Sequence, residues 1–231
     1  MNFFQRIEQK YILTEEEYKL LFEKINSHLE KDYYYKSTIC NLYFDTDYND
    51  LIVNSLEKPP YKQKVRVRSY NVPNVDDNVF LELKGKHKGI VFKRREKIRL
   101  DELYKYLESG TIPKNNNNQI MKEIDYIIKR YNLKPKIFLA YDRLSYYDKD
   151  NVNFRVTFDM NLRSRNEDLN LELGDTGKLF SKEKFYIMEL KSLTSIPLWF
   201  IKVLSELKIY SRSFSKYGSI YSKQKEEYLN V

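Results

Sequence analysis

The chain has 231 residues, and its 41 Lys and Arg against 33 Asp and Glu give a formal net charge of +8. A hydrophobic content of 42% excludes a disordered chain. The most apolar segment, IPLWFIKVL, contains a lysine and is far shorter than the ~18 residues of a membrane-spanning helix. One cysteine and two histidines exclude a disulfide framework and a Cys- or His-rich metal site, so any metal would be held by carboxylates.

The pattern along the chain is mostly that of strands, with polar and apolar residues alternating. Thr14, followed by three glutamates, predicts an N-cap and a helix that runs to about His28. Strands are predicted over Phe4–Leu13, Ile39–Asp45, Lys62–Tyr70, Val79–Lys86, Gly89–Ile98, Lys136–Tyr146, Asn153–Leu162 and Phe185–Lys191. Further helices are predicted over Asp101–Glu108, Gln119–Tyr131, Pro197–Leu207 and Ser215–Tyr228.

The order of these elements predicts the fold class. Helices and strands do not alternate regularly, so an antiparallel α+β arrangement is favoured over a parallel sheet. Eight strands are enough to close an antiparallel β-barrel with helices packed outside. No linker rich in Pro, Gly or Ser divides the chain, so a single domain over residues 1–231 is expected.

Charged residues occupy one face of nearly every predicted strand. In YKQKVRVRSY the charged positions alternate with Val65 and Val67, and in VFLELKGK with Leu81 and Leu83. In IVFKRREKI the choice stays open between a face with Lys93 and Arg95 and a face with Arg94, because a one-residue slip exchanges the two faces.

Two interpretations of these charges compete. An amphipathic strand ordinarily turns its charges to water, and lysines on an edge strand prevent aggregation. If the apolar helix faces cover the Val, Leu and Phe face, however, a closed sheet directs its cations inward. A lumen lined with like charges requires an anion, and guanidinium groups match phosphate oxygens well.

The motifs RIEQKY, RVR, FLELKGKHKGIVFKRRE, YDRLSYYD, FRVTFD, IMELKS and FSKYG follow one another from residue 6 to residue 218. Together they resemble the VTC domain, the polyphosphate polymerase domain of the CYTH or triphosphate tunnel metalloenzyme superfamily. The resemblance implies an eight-stranded antiparallel tunnel that binds a phosphate chain. It also implies synthesis of inorganic polyphosphate from ATP by transfer of the γ-phosphoryl group, assisted by Mn²⁺ or Mg²⁺.

Matching the motifs residue by residue implies three sets of site residues. The expected catalytic residues are Lys10, Arg66, Arg68, Lys84 and Glu189. The expected further phosphate ligands are Arg6, Lys93, Arg95, Arg143, Arg155, Lys191 and Lys216. The expected metal ligands are Glu189 and Glu8, with Glu82 or Asp159 as other carboxylates that could lie near the metal.

Arg6 is a departure from the wider superfamily. It stands where tunnel triphosphatases carry the first glutamate of an ExExK motif, so a cation replaces a metal-binding carboxylate. This change favours phosphoryl transfer to another phosphate over hydrolysis.

Two other functions stay open. The first is a metal-dependent triphosphatase acting on tripolyphosphate or nucleoside triphosphates. The second is a non-catalytic binder of polyphosphate or nucleic acid, which the 21 tyrosines and 13 phenylalanines suggest. We expect most of these aromatic residues to lie in the core, and nucleic acid is not the expected partner.

Several other residues have ordinary expected roles. Cys40 is expected to be buried, His87 to lie at a solvated hairpin tip, and the Tyr33–Tyr35 run to line a loop. Asp45 and Asp47 are expected in a strand-end turn, with metal binding as the alternative. The N-terminal residues do not resemble a signal peptide, so a cytoplasmic location is expected.

Overall fold

The computed structural model describes residues 7–229. Its strands are β1 (Ile7–Thr14), β2 (Leu29–Asp45), β3 (Tyr61–Tyr70), β4 (Asn78–His87), β5 (Ile90–Arg99), β6 (Lys134–Asp148), β7 (Arg155–Arg165), β8 (Lys178–Leu179) and β9 (Phe185–Ser192). Its helices are α1 (Glu15–Ile25), α2 (Asp50–Leu56), α3 (Leu100–Ser109), α4 (Gln119–Arg130), α5 (Leu198–Glu206) and α6 (Lys216–Leu229).

The strands follow the order β1-β9-β7-β6-β2-β3-β4-β5, and β8 pairs with β7. The registers of β1 with β9, β7 with β9, and β3 with β2 and β4 are antiparallel, as is that of β4 with β5. The predicted antiparallel α+β fold is therefore confirmed, and each of the eight predicted strands overlaps a strand of the structure.

Helix α1 begins directly after Thr14, the N-cap that the sequence predicts. The Thr14 hydroxyl accepts from the backbone N–H of Glu17, and the Glu17 carboxylate accepts from the backbone N–H of Thr14, which makes a capping box. Helix α1 ends at Ile25, and a 3₁₀ turn over Asn26–His28 completes the predicted span.

Two elements differ from the predictions. Strand β2 begins at Leu29 rather than at Ile39, so the Tyr33–Tyr35 run lies in a strand and not in a loop. Helix α2 was not predicted, because its seven residues are too few to show a helical period.

The chain divides into two compact units, each built from several segments. The first unit comprises Met1–Ser37, Tyr141–Leu162 and Leu179–Lys216. Its hydrophobic core joins Leu21 of α1 and Phe200 of α5 to the strand residues Phe158, Met188 and Leu190. These helices therefore cover one face of the first unit's strands.

The second unit comprises Thr38–Ala140, Arg163–Lys178 and Tyr217–Val231. Its core joins Leu103 of α3 and Ile124 of α4 to Val65, Val67 and Leu81 of β3 and β4. The alternation of apolar and charged residues on β3 and β4 therefore predicts the two faces correctly. Helices cover the apolar face, and the charged face lies on the other side of the strands. Among the helices of residues 7–229, none has the length and apolar character to cross a bilayer.

Candidate functional site

Three strands of the second unit place lysines side by side. The register sets Lys64 of β3 opposite Lys84 of β4, and Lys84 opposite Lys93 of β5. We call these three residues the lysine row. Directly opposed side chains have Cβ atoms about 4.5–5.5 Å apart, and like charges in that position destabilise a sheet. An anion bound over the lysine row would relieve this repulsion.

The next row along the same strands is centred on a buried carboxylate. Glu82 lies opposite Arg66 on one side and opposite Arg95 on the other, and it is only 1% exposed. Its oxygens lie 2.8 Å from Arg66 Nε, 2.6 Å from Arg95 Nε and 2.8 Å from Lys93 Nζ. We call these four residues the Glu82 cluster.

The Glu82 cluster keeps its carboxylate ionised. Burial raises the pKa of Glu82, but the charges of Arg66, Arg68 and Lys93 lower it by more, so the pKa lies well below its usual range. A carboxylate held by three cations has few lone pairs left for a metal. Glu82 was expected as a carboxylate that could lie near a metal. Its contacts instead make it the counter-charge of these cations.

The register also resolves the open choice on β5. Lys93 and Arg95 share the face of Glu82, whereas Arg94 lies opposite Leu83 on the face that the helices cover. There the Arg94 Nε donates to the Glu123 carboxylate of α4 at 2.6 Å.

Strand β2 adds two uncharged residues to the charged face. Arg66 Nη1 donates to the Tyr43 hydroxyl at 3.0 Å, and Arg68 Nε donates to Asn41 Oδ1 at 3.1 Å. Burial raises the pKa of Tyr43, but the charges of Arg66, Lys64 and Arg68 and the hydrogen bond from Arg66 lower it further, to about 8. Tyr43 and Asn41 carry no charge, so the pattern of charged residues does not point to them, although both alternate on β2 with the expected period of two.

The start of α6 packs on this face. The ring of Tyr217 lies 4.8 Å from that of Tyr43, and its hydroxyl donates to Asp45 at 3.1 Å. Asp45 also accepts from the backbone N–H groups of Leu51 and Ile52, so it fixes the start of α2. The predicted strand-end turn, rather than a metal, accounts for this fully buried carboxylate.

The first unit has its own charged face, on β1, β9 and β7. One row across these strands is Lys10, Glu189 and Thr157, and the neighbouring row is Glu8, Lys191 and Arg155. We call these six residues the Glu189 group. On β1 and β9 the charges alternate, because Lys10 lies opposite Glu189 and Glu8 lies opposite Lys191. On β7, Arg155 lies opposite Lys191, so these two cations are neighbours.

Glu189 is the centre of this group. Its carboxylate lies 3.0 Å from Lys191 Nζ and 3.9 Å from Arg143 Nη2. Burial raises its pKa, but the charge of Lys191, the neighbouring Glu8 side chain and the charge of Lys10 lower it by more, so the carboxylate stays ionised.

Arg143 and Lys216 meet at a second buried carboxylate of the first unit. Asp159 is fully buried and accepts from Arg143 Nε and Nη2 at 2.6 and 2.7 Å, while Lys216 Nζ lies 2.6 Å away. We call these three residues the Asp159 cluster. Burial raises the pKa of Asp159, and the two cations lower it by more. Like Glu82, Asp159 is occupied by cations and is not available as a metal ligand.

The side chains beside Glu189 fit a hard divalent cation. Glu8 and Glu189 provide two adjacent carboxylates, and the Thr157 hydroxyl, opposite Glu189 in the register, is buried without a hydrogen-bond partner. Within residues 7–229 no group of three or more His, Cys, Asp or Glu side chains could hold a metal. Mg²⁺ characteristically binds one or two carboxylates, waters and substrate phosphates, so two carboxylates suffice.

The expected site residues thus fall into two sets. The second unit brings together Arg66, Arg68, Lys84, Lys93 and Arg95, and the first unit brings together Glu8, Lys10, Arg143, Arg155, Glu189, Lys191 and Lys216. Arg155 is the most exposed of the arginines among them, and its Nη1 lies 3.4 Å from Asp32. Arg6 lies outside the described residues.

Comparisons with known proteins identify the family and the fold. The family model for the VTC domain matches residues 5–223. A proposed adenylate cyclase from Bacillus halodurans is 17% identical, with 91% of this chain and 93% of that chain covered and a TM-score of 0.56. Another from Vibrio parahaemolyticus is 10% identical, with 94% and 97% covered and a TM-score of 0.52. These two structures are similar in fold. No curated protein matches the chain.

Proposed function

The chain belongs to the VTC domain family, and we propose that it synthesises inorganic polyphosphate by transferring the γ-phosphoryl group of ATP to the end of a phosphate chain. The single observation that carries this proposal is the lysine row beside the Glu82 cluster, because it concentrates more positive charge on one sheet face than that face neutralises. The prediction of one catalytic domain over residues 1–231 is part of the proposal.

The charged face of the second unit suits a condensed phosphate. The lysine row, Arg66, Arg68 and Arg95 provide six cations, against two carboxylates, those of Glu82 and of Asp45 at the end of β2. A tripolyphosphate or the triphosphate of ATP carries several negative charges on a flexible backbone. These charges match the excess of positive charge on the face. Arginine forks bind pairs of phosphate oxygens, whereas the lysines act as point charges that tolerate a sliding chain.

Phosphoryl transfer demands little from the protein beyond position and charge. A terminal oxygen of the acceptor chain is already anionic at neutral pH, so it can attack the γ-phosphorus without a strong base. A new P–O bond forms to that oxygen, the bond from the γ-phosphorus to the bridging oxygen breaks, and ADP leaves with the electron pair. Arg66, Arg68 and Lys84 would hold the reacting phosphates in line and offset the charge that develops on their oxygens.

The charged face of the first unit has its own candidate metal site and further cations. Glu189 and Glu8 would hold Mn²⁺ or Mg²⁺, which when bound supplies positive charge to phosphate oxygens. The charges of Lys191 and Lys10 lower the pKa of Glu189 and so favour its ionised form, while Arg143, Arg155 and Lys216 would bind phosphate.

Incubation with ATP and Mn²⁺ tests the proposal. The expected product is long, acid-stable phosphate chains that appear together with ADP. Lys84→Gln, at the centre of the lysine row, should lower the rate of chain synthesis at least ten-fold. Lys122→Gln, which removes an exposed charge from α4 on the opposite side of the sheet, should leave the rate unchanged.

Other products would identify other functions. Stoichiometric orthophosphate without chains would show a triphosphatase. Tight binding of tripolyphosphate without any turnover would show a non-catalytic binder. Equal rates for Lys84→Gln and Lys122→Gln would contradict the role given to the lysine row.

A further inference from the structure

Glu82 occupies the position on the charged face where an anion would be expected. It is buried, and it contacts three cations, Arg66 on β3 and both Arg95 and Lys93 on β5. Arg95 is further held by the ring of Phe80, whose centroid lies 4.5 Å from its guanidinium carbon. The cations of this cluster are therefore in fixed positions before any phosphate binds.

An internal anion has two opposite effects on a phosphate ligand. It holds the guanidinium groups in place, which lowers the cost of ordering them when the ligand binds. It also cancels part of their charge and competes for their N–H donors, which weakens the attraction for phosphate. An enzyme that extends a chain one phosphate at a time benefits from both effects, because the chain must be aligned in each cycle and then move.

We propose that Glu82 is a positioning residue that holds Arg66, Arg95 and Lys93 for phosphoryl transfer and at the same time weakens their grip on the phosphate chain so that the chain can advance. This inference rests on the proposed function. It assigns to Glu82 a role in turnover that a purely structural ion pair would not have.

Glu82→Gln separates the two effects. The amide keeps the size of the side chain but removes its charge, so the cations attract phosphate more strongly and are less well ordered. Titration calorimetry with tripolyphosphate, without ATP, should show about ten-fold tighter binding than in the wild type. Chain synthesis from ATP should show a lower kcat and a lower KM together.

Glu96→Gln is the matched control. Glu96 is also buried, but it faces the helices and accepts from Asn116 and Asn118 at 2.6 and 2.8 Å. This variant should bind tripolyphosphate as the wild type does. Glu82→Asp retains the charge on a shorter side chain that cannot reach all three cations, so its affinity should lie between those of the wild type and Glu82→Gln.

The outcomes are distinguishable. Unchanged or weaker tripolyphosphate binding by a folded Glu82→Gln would overturn the inference, as would a fall in kcat with no change in KM. If Glu82→Gln does not fold, Glu82→Asp gives the same comparison, and affinity at or below that of the wild type overturns the inference. A wild-type protein that binds tripolyphosphate but makes no chains would instead refute the proposed function, and one that does not bind would refute both.

Discussion

Replacing Asp159 by Asn should strongly destabilise the first unit. Asp159 is fully buried, and its two cations, Arg143 and Lys216, have side chains that are only 14% and 13% exposed. The substitution leaves both cations without their carboxylate in a site that water hardly reaches. Breaking a buried pair from one side typically costs about 3–5 kcal/mol, so the free energy of unfolding should fall by that amount.

Urea unfolding followed by circular dichroism measures this loss. Asp32→Asn is the matched control, because Asp32 pairs with Arg155 at 3.4 Å and the arginine side chain is 60% exposed. The control should lose less than about 1 kcal/mol. A loss below about 1 kcal/mol for Asp159→Asn would refute the reasoning, since it would show that Arg143 and Lys216 do not depend on this carboxylate.

The pH dependence of the same effect has a definite sign. The pKa of Asp159 is lowered in the folded state, so its stabilising contribution is complete above its unfolded pKa of about 3.9. It is lost as the pH falls through the lower, folded-state pKa. Wild type and Asp159→Asn should therefore differ most near neutral pH and converge in strong acid.

Three other changes test separate parts of the site. Thr157→Val removes a buried hydroxyl that has no partner, so it should raise the melting temperature of the metal-free protein slightly, while Mn²⁺ binding measured by electron paramagnetic resonance should weaken several-fold. Tyr43→Phe should remove the gain in the free energy of unfolding that the wild type shows as the pH rises from about 8 towards 10, because the folded pKa of Tyr43 is lowered to about 8. Lys84→Gln should leave stability unchanged or raise it, as like charges are separated, while tripolyphosphate binding weakens; a fall in stability would show that the lysine row is not repulsive.

The faces of most strands could be predicted from the sequence. On β3, Val65 and Val67 are fully buried and the cations between them are not, as alternation requires. The face of β5 could not be chosen in this way, because Lys93, Arg94 and Arg95 are three consecutive cations. The choice depends on the register with β4, which places Arg95 opposite Glu82, and register depends on the turn between the two strands and on packing.

The partners of the site residues were harder to predict than the residues themselves. The sequence identifies Arg143 and Lys216 as cations within motifs, but they are 73 positions apart and meet only because both contact Asp159. Likewise, a carboxylate among cations, such as Glu82, can be either a metal ligand or the counter-charge of those cations. The sequence does not distinguish these two roles, whereas the observed distances do. Tyr43 carries no charge, and a tyrosine in a strand is ordinarily a core residue, so its sequence context does not mark it as a site residue.

The carboxylates also explain why the charged faces can exist without a ligand. Asp159 and Glu82 each neutralise cations that are buried or half-buried, whereas Lys84, at the centre of the lysine row, is exposed. Buried cations need a permanent partner, because the cost of desolvation would otherwise prevent folding. Accessible cations remain hydrated, so they can be neutralised by an anion that binds only transiently. This division of charge predicts that a phosphate chain engages Lys84 first and the Glu82 cluster second, so Lys84→Gln should slow the association of tripolyphosphate more than its dissociation.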